Sequence, residues 1–216
     1  MNKLSVIDRR RAAVESDPVA YQEKRQEIAS AAVRVFDRLG LQKATISAVA
    51  QELNMDRSTL YYFISSKEQL FDEVVRTVVE RNLELVRQIA AGPHTAGEKL
   101  REMITALMNS YGEHYPLFYI FIREDLSHVT LERSDWSNEM REMSRLTAEK
   151  MIEVVEEGFA DGSLRRIGSA RVVAYGIFGV IGWTHRWFRP GRSDVSAAEI
   201  GDTYAQMILS GLNAPC

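Results

Sequence analysis

The apolar residues of this chain recur at intervals of three and four and show no sustained alternation. Ile28, Ala32, Val35, Phe36 and Leu39 mark one such face, and Tyr204, Met207, Ile208 and Leu212 another. That spacing lays apolar side chains along one stripe of a helix, whereas a half-buried strand needs a period of two. No Asn-Gly hairpin signal appears. Breaks at Gly40, Gly92-Pro93, Pro116, Asp161-Gly162 and Arg189-Pro190-Gly191 divide the pattern. An all-α fold of about nine helices is therefore expected. A helix from Tyr21 to Leu39 is followed by two short ones, capped by Thr45 and Asp56. A fourth starts at Lys67 behind Ser66 and runs towards Ala91; the rest span about 96–114, 117–126, 135–160, 169–187 and 196–212.

With 216 residues the chain can bury a substantial core as one large domain or two small ones. Its single cysteine, Cys216, cannot pair within the chain, which fits a reducing cytoplasm. No secretory h-region opens the sequence, and no apolar run approaches the roughly 20 residues of a membrane span. The net charge of −3 does not advertise nucleic-acid binding, but its distribution is uneven. Residues 1–70 carry 11 Lys/Arg against 9 Asp/Glu, and the remainder 16 against 21. A mildly basic N-terminal part on an acidic body is compatible with docking on DNA at one end.

The stretch from Thr45 to Leu70 carries the most chemistry. Its first short helix buries Ile46, Val49 and Leu53, Asn54 suits a left-handed turn, and the next helix buries Met55 and Leu60. Such a pair crosses steeply and leaves the N-terminus of the second helix open, here with Arg57, Ser58, Thr59, Tyr61 and Tyr62. Lying in a major groove, Arg57 would donate to guanine, and Ser58 and Thr59 would meet base edges. Tyr61 and Tyr62 would reach phosphates, and Lys67 would add an anion site with the amides of its own helix. Two blander readings stand beside these: Tyr61 as partly core, and Arg57 as the ion-pair partner of Asp56 or Glu52.

These residues resemble the TetR (tetracycline-repressor) family of bacterial regulators. The similarity runs from Phe36-x-x-x-Gly40 through Thr45-Ile46, Val49-Ala50 and Ser58-Thr59-Leu60-Tyr61 to Ser66-Lys67-Glu68-Gln69-Leu70. It implies a three-helix helix-turn-helix DNA-binding domain over 20–66, preceded by a flexible basic arm over 1–19 with Arg9-Arg10-Arg11. A helical ligand-binding and dimerisation domain over 67–216 is implied as well. Thr45 and Ser47 join Arg57, Ser58, Thr59, Tyr61, Tyr62 and Lys67 as candidate DNA contacts. Phe63 stands where many members have a Tyr or His that touches phosphate, so that contact is not carried over.

In the second half, Gly176, Gly179 and Gly182 fall along one narrow stripe. Each glycine costs a helix about 1 kcal/mol relative to alanine, so the stripe needs a compensating close approach. Packing of a two-fold dimer is one such approach, with Tyr204, Met207 and Ile208 on the last helix; close packing within the chain is the other. The run Trp183-x-x-x-Trp187-Phe188-Arg189-Pro190-Gly191-Arg192 resembles the C-terminal part of TetR-family repressors that sense acyl-coenzyme A thioesters of fatty-acid and steroid breakdown. Arg186, Arg189 and Arg192 are then candidates for the coenzyme's phosphates, or else simply solvated. Candidate pocket residues are Met103, Phe118, Tyr119, Arg123, Met143, Phe178, Trp183, Arg186 and Trp187, since methionine and aromatics line adaptable apolar cavities, although at helical spacing such residues more often form plain core.

The four histidines show no metal-ligand spacing, and no phosphate-binding glycine loop or nucleophile elbow is present. No metal, no cofactor and no catalytic group is therefore assigned. The expected function is a ligand-released repressor that binds palindromic operator DNA as a homodimer, with a small hydrophobic effector such as an acyl-CoA. A ligand-dependent activator and a repressor responsive to drugs or aromatic compounds are the alternatives, and a helical carrier protein is a more distant one.

Overall fold

A computed structural model of the chain describes residues 17–123 and 134–212. The arginines of the N-terminal arm, Glu124, Asp125, His128 and Cys216 lie outside the described residues, as does the side chain of Arg123. Among the described residues there are nine α-helices and no strand. They form two compact units, one ending at Arg76 and one beginning at Thr77.

In the first unit, α1 (Pro18–Leu39) starts where Asp17 accepts a bond from the Ala20 amide at 3.0 Å, with proline in the first turn, where its missing N–H costs nothing. It ends at Gly40, whose φ of 73° closes the helix through a bond to the Phe36 carbonyl. Helix α2 (Ile46–Glu52) is capped by Thr45, whose hydroxyl accepts from the Ala48 amide at 3.1 Å. Asn54, with φ 51°, makes the turn into α3 (Arg57–Phe63). Asp56 stands at that N-cap without a side-chain bond. Helix α4 (Lys67–Ala91) begins at Ser66, whose hydroxyl accepts from the Gln69 amide at 3.0 Å. The units divide inside α4 rather than at its start, because its first turns pack into the head: the Phe71 ring meets Phe36 edge-on at 6.0 Å.

The second unit holds α5 (Ala96–Glu113), α6 (Tyr115–Arg123), α7 (Ser134–Asp161), α8 (Ala170–Trp183) and α9 (Ala197–Leu212). Thr95 and Glu98 start α5 with a reciprocal capping box. Helix α9 packs along α5, and α7 packs on both α5 and α8. The close α5–α9 contact depends on small residues: a Cβ at Gly201 would lie 3.0 Å from the Thr105 Cα, and one at Gly112 only 2.6 Å from the Ala197 Cβ. Leu100, Met103, Ile104, Met151, Val155 and Ile177 centre the core. Lys99 is buried beside it, with both Glu157 oxygens 3.0 Å from its ammonium. The expected helix over 169–187 stops at Trp183 and tightens into a 3-10 turn over Thr184–Arg186, where the chain bends to bury Phe188.

Candidate functional site

The DNA-binding face follows from how little α3 buries. Of its seven residues only Leu60 is fully inside, while Arg57, Ser58 and Thr59 are exposed and Tyr61 is 37% exposed. Arg57 does not pair with Glu52. Its Nη2 donates to the Tyr61 hydroxyl at 3.0 Å and its guanidinium lies 5.3 Å from that ring's centroid. Glu52 belongs to Arg34 and Arg38, at 2.9 and 3.0 Å, which draw its carboxyl below the ordinary glutamate range and tie α1 to α2. Thr45 is exposed and already engaged as a cap, and Ser47 is half-buried. Tyr62 is half-buried, edge-on to Phe63 at 5.0 Å and to Tyr21 at 6.5 Å.

Lys67 turns back instead of standing clear at its helix start. Its ammonium donates to the carbonyls of Leu41 and Gln42 at 2.8 and 3.0 Å, so it braces the loop before α2. Arg25 is a bracing residue that the sequence did not single out. It donates to the Phe63 carbonyl at 3.2 Å and pairs with Glu73, holding the end of α3 against α1 and α4. Its partners lie 38 and 48 residues away, too far for any local pattern to reveal.

In the second unit a cavity of about 460 Å³ is lined by residues of five helices, with most of its polar side chains on one of them. Val79 and Asn82 come from α4, Leu107 from α5, Phe118 and Phe121 from α6, and Tyr175 and Phe178 from α8. Helix α7 contributes Arg141, Ser144, Arg145, Thr147 and Ala148. Of the candidate pocket residues, Phe118 and Phe178 line this space. Met103 is wholly buried in the core, Met143 is also buried off the cavity wall, and Tyr119 stacks on Tyr115 at 5.6 Å. Trp183 is 62% exposed with Arg186 stacked 5.2 Å over its ring, and Trp187 is exposed too, so none of these three reaches the cavity. The Asn82 amide oxygen accepts from the Ser110 hydroxyl at 2.7 Å, which leaves its amide nitrogen as the donor end.

Among the described residues, a Cβ at Gly176, Gly179 or Gly182 meets nothing within 4 Å. Close packing against the described residues is thus not what these glycines serve. Val172, Tyr175 and Trp183 on α8 and Met207 on α9 are exposed apolar residues, whereas Tyr204 and Ile208 pack partly on the core. The Tyr204 hydroxyl accepts from Thr184 at 3.2 Å. Among the described residues no group of three or more His, Cys, Asp or Glu could hold a metal ion, and no helix is long and apolar enough to cross a membrane.

Comparison with known proteins covers both units. A family model described as "Bacterial regulatory proteins, tetR family" matches residues 28–74, and one described as "Tetracyclin repressor-like, C-terminal domain" matches residues 93–212. The HTH-type transcriptional repressor KstR2 of Mycolicibacterium smegmatis is 25% identical over 189 residues, 88% of this chain and 90% of that protein. Among solved structures, the ketosteroid transcriptional regulator KstR2 of Mycobacterium tuberculosis superposes with a TM-score of 0.78 at 20% identity, over 89% of this chain and 96% of that one. AibR in complex with isovaleryl coenzyme A and operator DNA superposes at 0.71 with 18% identity, over 86% and 97%. These two superpositions are likenesses of fold.

Proposed function

The chain belongs to the TetR family, as a DNA-binding regulator and not an enzyme, and from that premise we propose that it is a repressor released by a small ligand. As a homodimer it binds palindromic operator DNA, and its effector is a small hydrophobic molecule, with acyl-CoA thioesters of lipid or steroid breakdown as the favoured class. The observation that carries the DNA half is α3, a helix that buries one side chain and turns Arg57, Ser58 and Thr59 outward. Short helices gain most of their stability from the face they bury. One that buries so little and exposes a guanidinium and two hydroxyls is suited to a groove.

In this reading Arg57 donates to a guanine edge, Ser58 and Thr59 contact neighbouring bases, and Tyr61, Tyr62, Thr45 and Ser47 meet the backbone. Lys67 acts by fixing the loop it already holds. Dimerisation through the open glycine stripe of α8 and the exposed face of α9 is supported by the free space at Gly176 and Gly179 and by the exposure of Met207. A two-fold dimer sets its two heads about 34–36 Å apart, one turn of DNA. An effector that favours another spacing lowers operator affinity by its differential affinity for the two states and by no more. The effector class is supported by relatives named as KstR2 repressors and by a fold neighbour solved with isovaleryl coenzyme A. The place of action is then the cytoplasm.

The test is fluorescence anisotropy on a duplex from the gene's own upstream region, with and without acyl-CoAs, free fatty acids and hydrophobic drugs. Binding should be tight, steeply weakened by salt and reversed by an acyl-CoA. Arg57→Ala should cost about 1–3 kcal/mol and relax discrimination at one base position. Failure to bind that duplex or any duplex enriched by selection would overturn the reading. Release by drugs and not by any thioester would overturn the effector class alone.

A further inference from the structure

The polar residues that line the cavity differ in depth. Arg141, Ser144 and Arg145 of α7 are exposed and Tyr175 of α8 is 50% exposed, which sets them towards solvent. Asn82 of α4 and Thr147 of α7 are buried, each 8% exposed. A polar group at that depth is costly to leave without a hydrogen-bond partner. The Thr147 hydroxyl spends its one proton on the Met143 carbonyl of its own helix at 2.8 Å, so it has only lone pairs left to offer.

Asn82 is in the opposite state. Its amide oxygen accepts from the Ser110 hydroxyl at 2.7 Å, a contact made across 28 residues. That separation is the ordinary one for O–H···O and short for N–H···O, so it sets which way round the amide stands. Ser110 is itself buried and does not line the cavity. The oxygen is therefore committed behind the wall, and the nitrogen with its two N–H groups is the end of this lining residue that remains. Among the described residues nothing accepts from that nitrogen. Val79, Leu107, Phe118 and Phe178 supply apolar lining in the same space.

On the reading of this space as the effector cavity, we infer that the Asn82 amide is its specificity-determining donor and that the effector presents a carbonyl oxygen to it from within an apolar body. A carbonyl oxygen carries two lone pairs and no proton, which matches an N–H pair fixed in one orientation. Ser110 is the positioning residue, because its bond to the oxygen keeps the amide from turning over. A ligand with a methylene in place of the carbonyl leaves the buried donor unbonded and forfeits about tenfold in affinity. Ketones carry the required group, and so do the acyl thioesters favoured above.

The experiment displaces the neutral fluorescent probe N-phenyl-1-naphthylamine from the full-length protein with pentylbenzene, valerophenone and S-propyl thiobenzoate. The three share one ring and one chain length, and differ in a methylene, a ketone and a thioester next to the ring. The ratio of each carbonyl compound to pentylbenzene cancels the general affinity of the cavity, and its change between variants cancels the different hydration of the ligands. Asn82→Leu, similar in size and without a donor, should shift that ratio about tenfold against the carbonyl compounds. Ser110→Ala, which keeps the donor and frees the amide to turn over, should lose part of the preference. A merely structural role for Asn82 would move all three competitors together. A shift for both carbonyl compounds assigns the donor to carbonyls in general, and a shift for one alone assigns it to that class. A ratio unchanged in both Asn82→Leu and Ser110→Ala would overturn the inference and leave the cavity reading intact. Ala148→Leu, which adds a larger apolar side chain to the cavity wall, should weaken the probe. A probe that fails to bind, or that ignores Ala148→Leu, would overturn the cavity reading and this inference with it.

Discussion

Replacing Gly176 and Gly179 of α8 by alanine should move two measurable quantities in opposite directions. Among the described residues of one chain a Cβ at either position meets nothing within 4 Å, so the methyl groups create no clash there. Alanine is favoured over glycine inside a helix by about 0.8–1.0 kcal/mol, which gives about 2 kcal/mol of added stability for the pair. Across a two-fold interface each substitution counts twice. A methyl forced into a packed contact costs about 1–3 kcal/mol, so the four methyl groups should weaken dimerisation by at least about 4 kcal/mol, roughly 1,000-fold in Kd. Sedimentation equilibrium measures the second quantity, and urea unfolding at protein concentrations below the dimer Kd measures the first. A dimer Kd that stayed the same or tightened would refute the placing of the interface on this stripe. A monomer that lost stability would refute the open-space argument itself.

The buried Lys99 offers a test of charge pairing. Its side chain is 7% exposed while Glu157 is 46% exposed, so Glu157→Gln strands a buried cation and should destabilise by about 1–3 kcal/mol. Lys99→Met removes that cation and should cost less in the same urea titration, and the reverse order would show that the pair is not what holds the lysine inside. Protonation of Glu52 gives a pH signature. Arg34 and then Arg38 lower its carboxyl, so its contribution is present above the ordinary glutamate range and is lost as pH falls through the depressed value. Urea midpoints of the native protein and of Glu52→Gln should therefore differ near neutrality and converge in acid, and a difference that persisted in acid would assign the effect to packing instead.

The parts of this molecule that were legible in its sequence are those set by short-range rules. Thr45 bonding to Ala48, Gly40 closing α1 and the left-handed Asn54 are all decided within four residues, and so the helix-turn-helix could be drawn before any coordinates. The cavity was less legible because methionine and aromatic side chains fit a pocket and a core equally well. Met103 and Met143 went to the interior, and the wall was completed by Arg141, Ser144, Arg145 and Ala148. Those four do carry a signal, the i, i+3, i+4, i+7 spacing of one face of α7. A search for apolar residues passes over it. Bracing contacts such as Arg25 to Phe63 and Lys67 to Leu41 join residues more than two turns of any helix apart and have no local signature.

In the proposed reading helix α8 links ligand and assembly most directly. Tyr175 and Phe178 line the cavity, and Gly176 and Gly179, the next residue after each, open onto solvent. Neighbouring positions on a helix differ by about 100° in direction, so a small rotation or shift of α8 that accommodates a ligand also moves the stripe proposed to meet the partner. Tyr175 is 50% exposed, which leaves its ring room to adjust on the solvent side while it also lines the cavity. Substituting Tyr175 should accordingly change how strongly a ligand alters operator binding more than it changes operator binding itself. Tyr175→Ala tested by the anisotropy titration, with and without decanoyl-CoA, separates the two. A variant with unchanged ligand response and weakened operator binding would place the coupling outside α8.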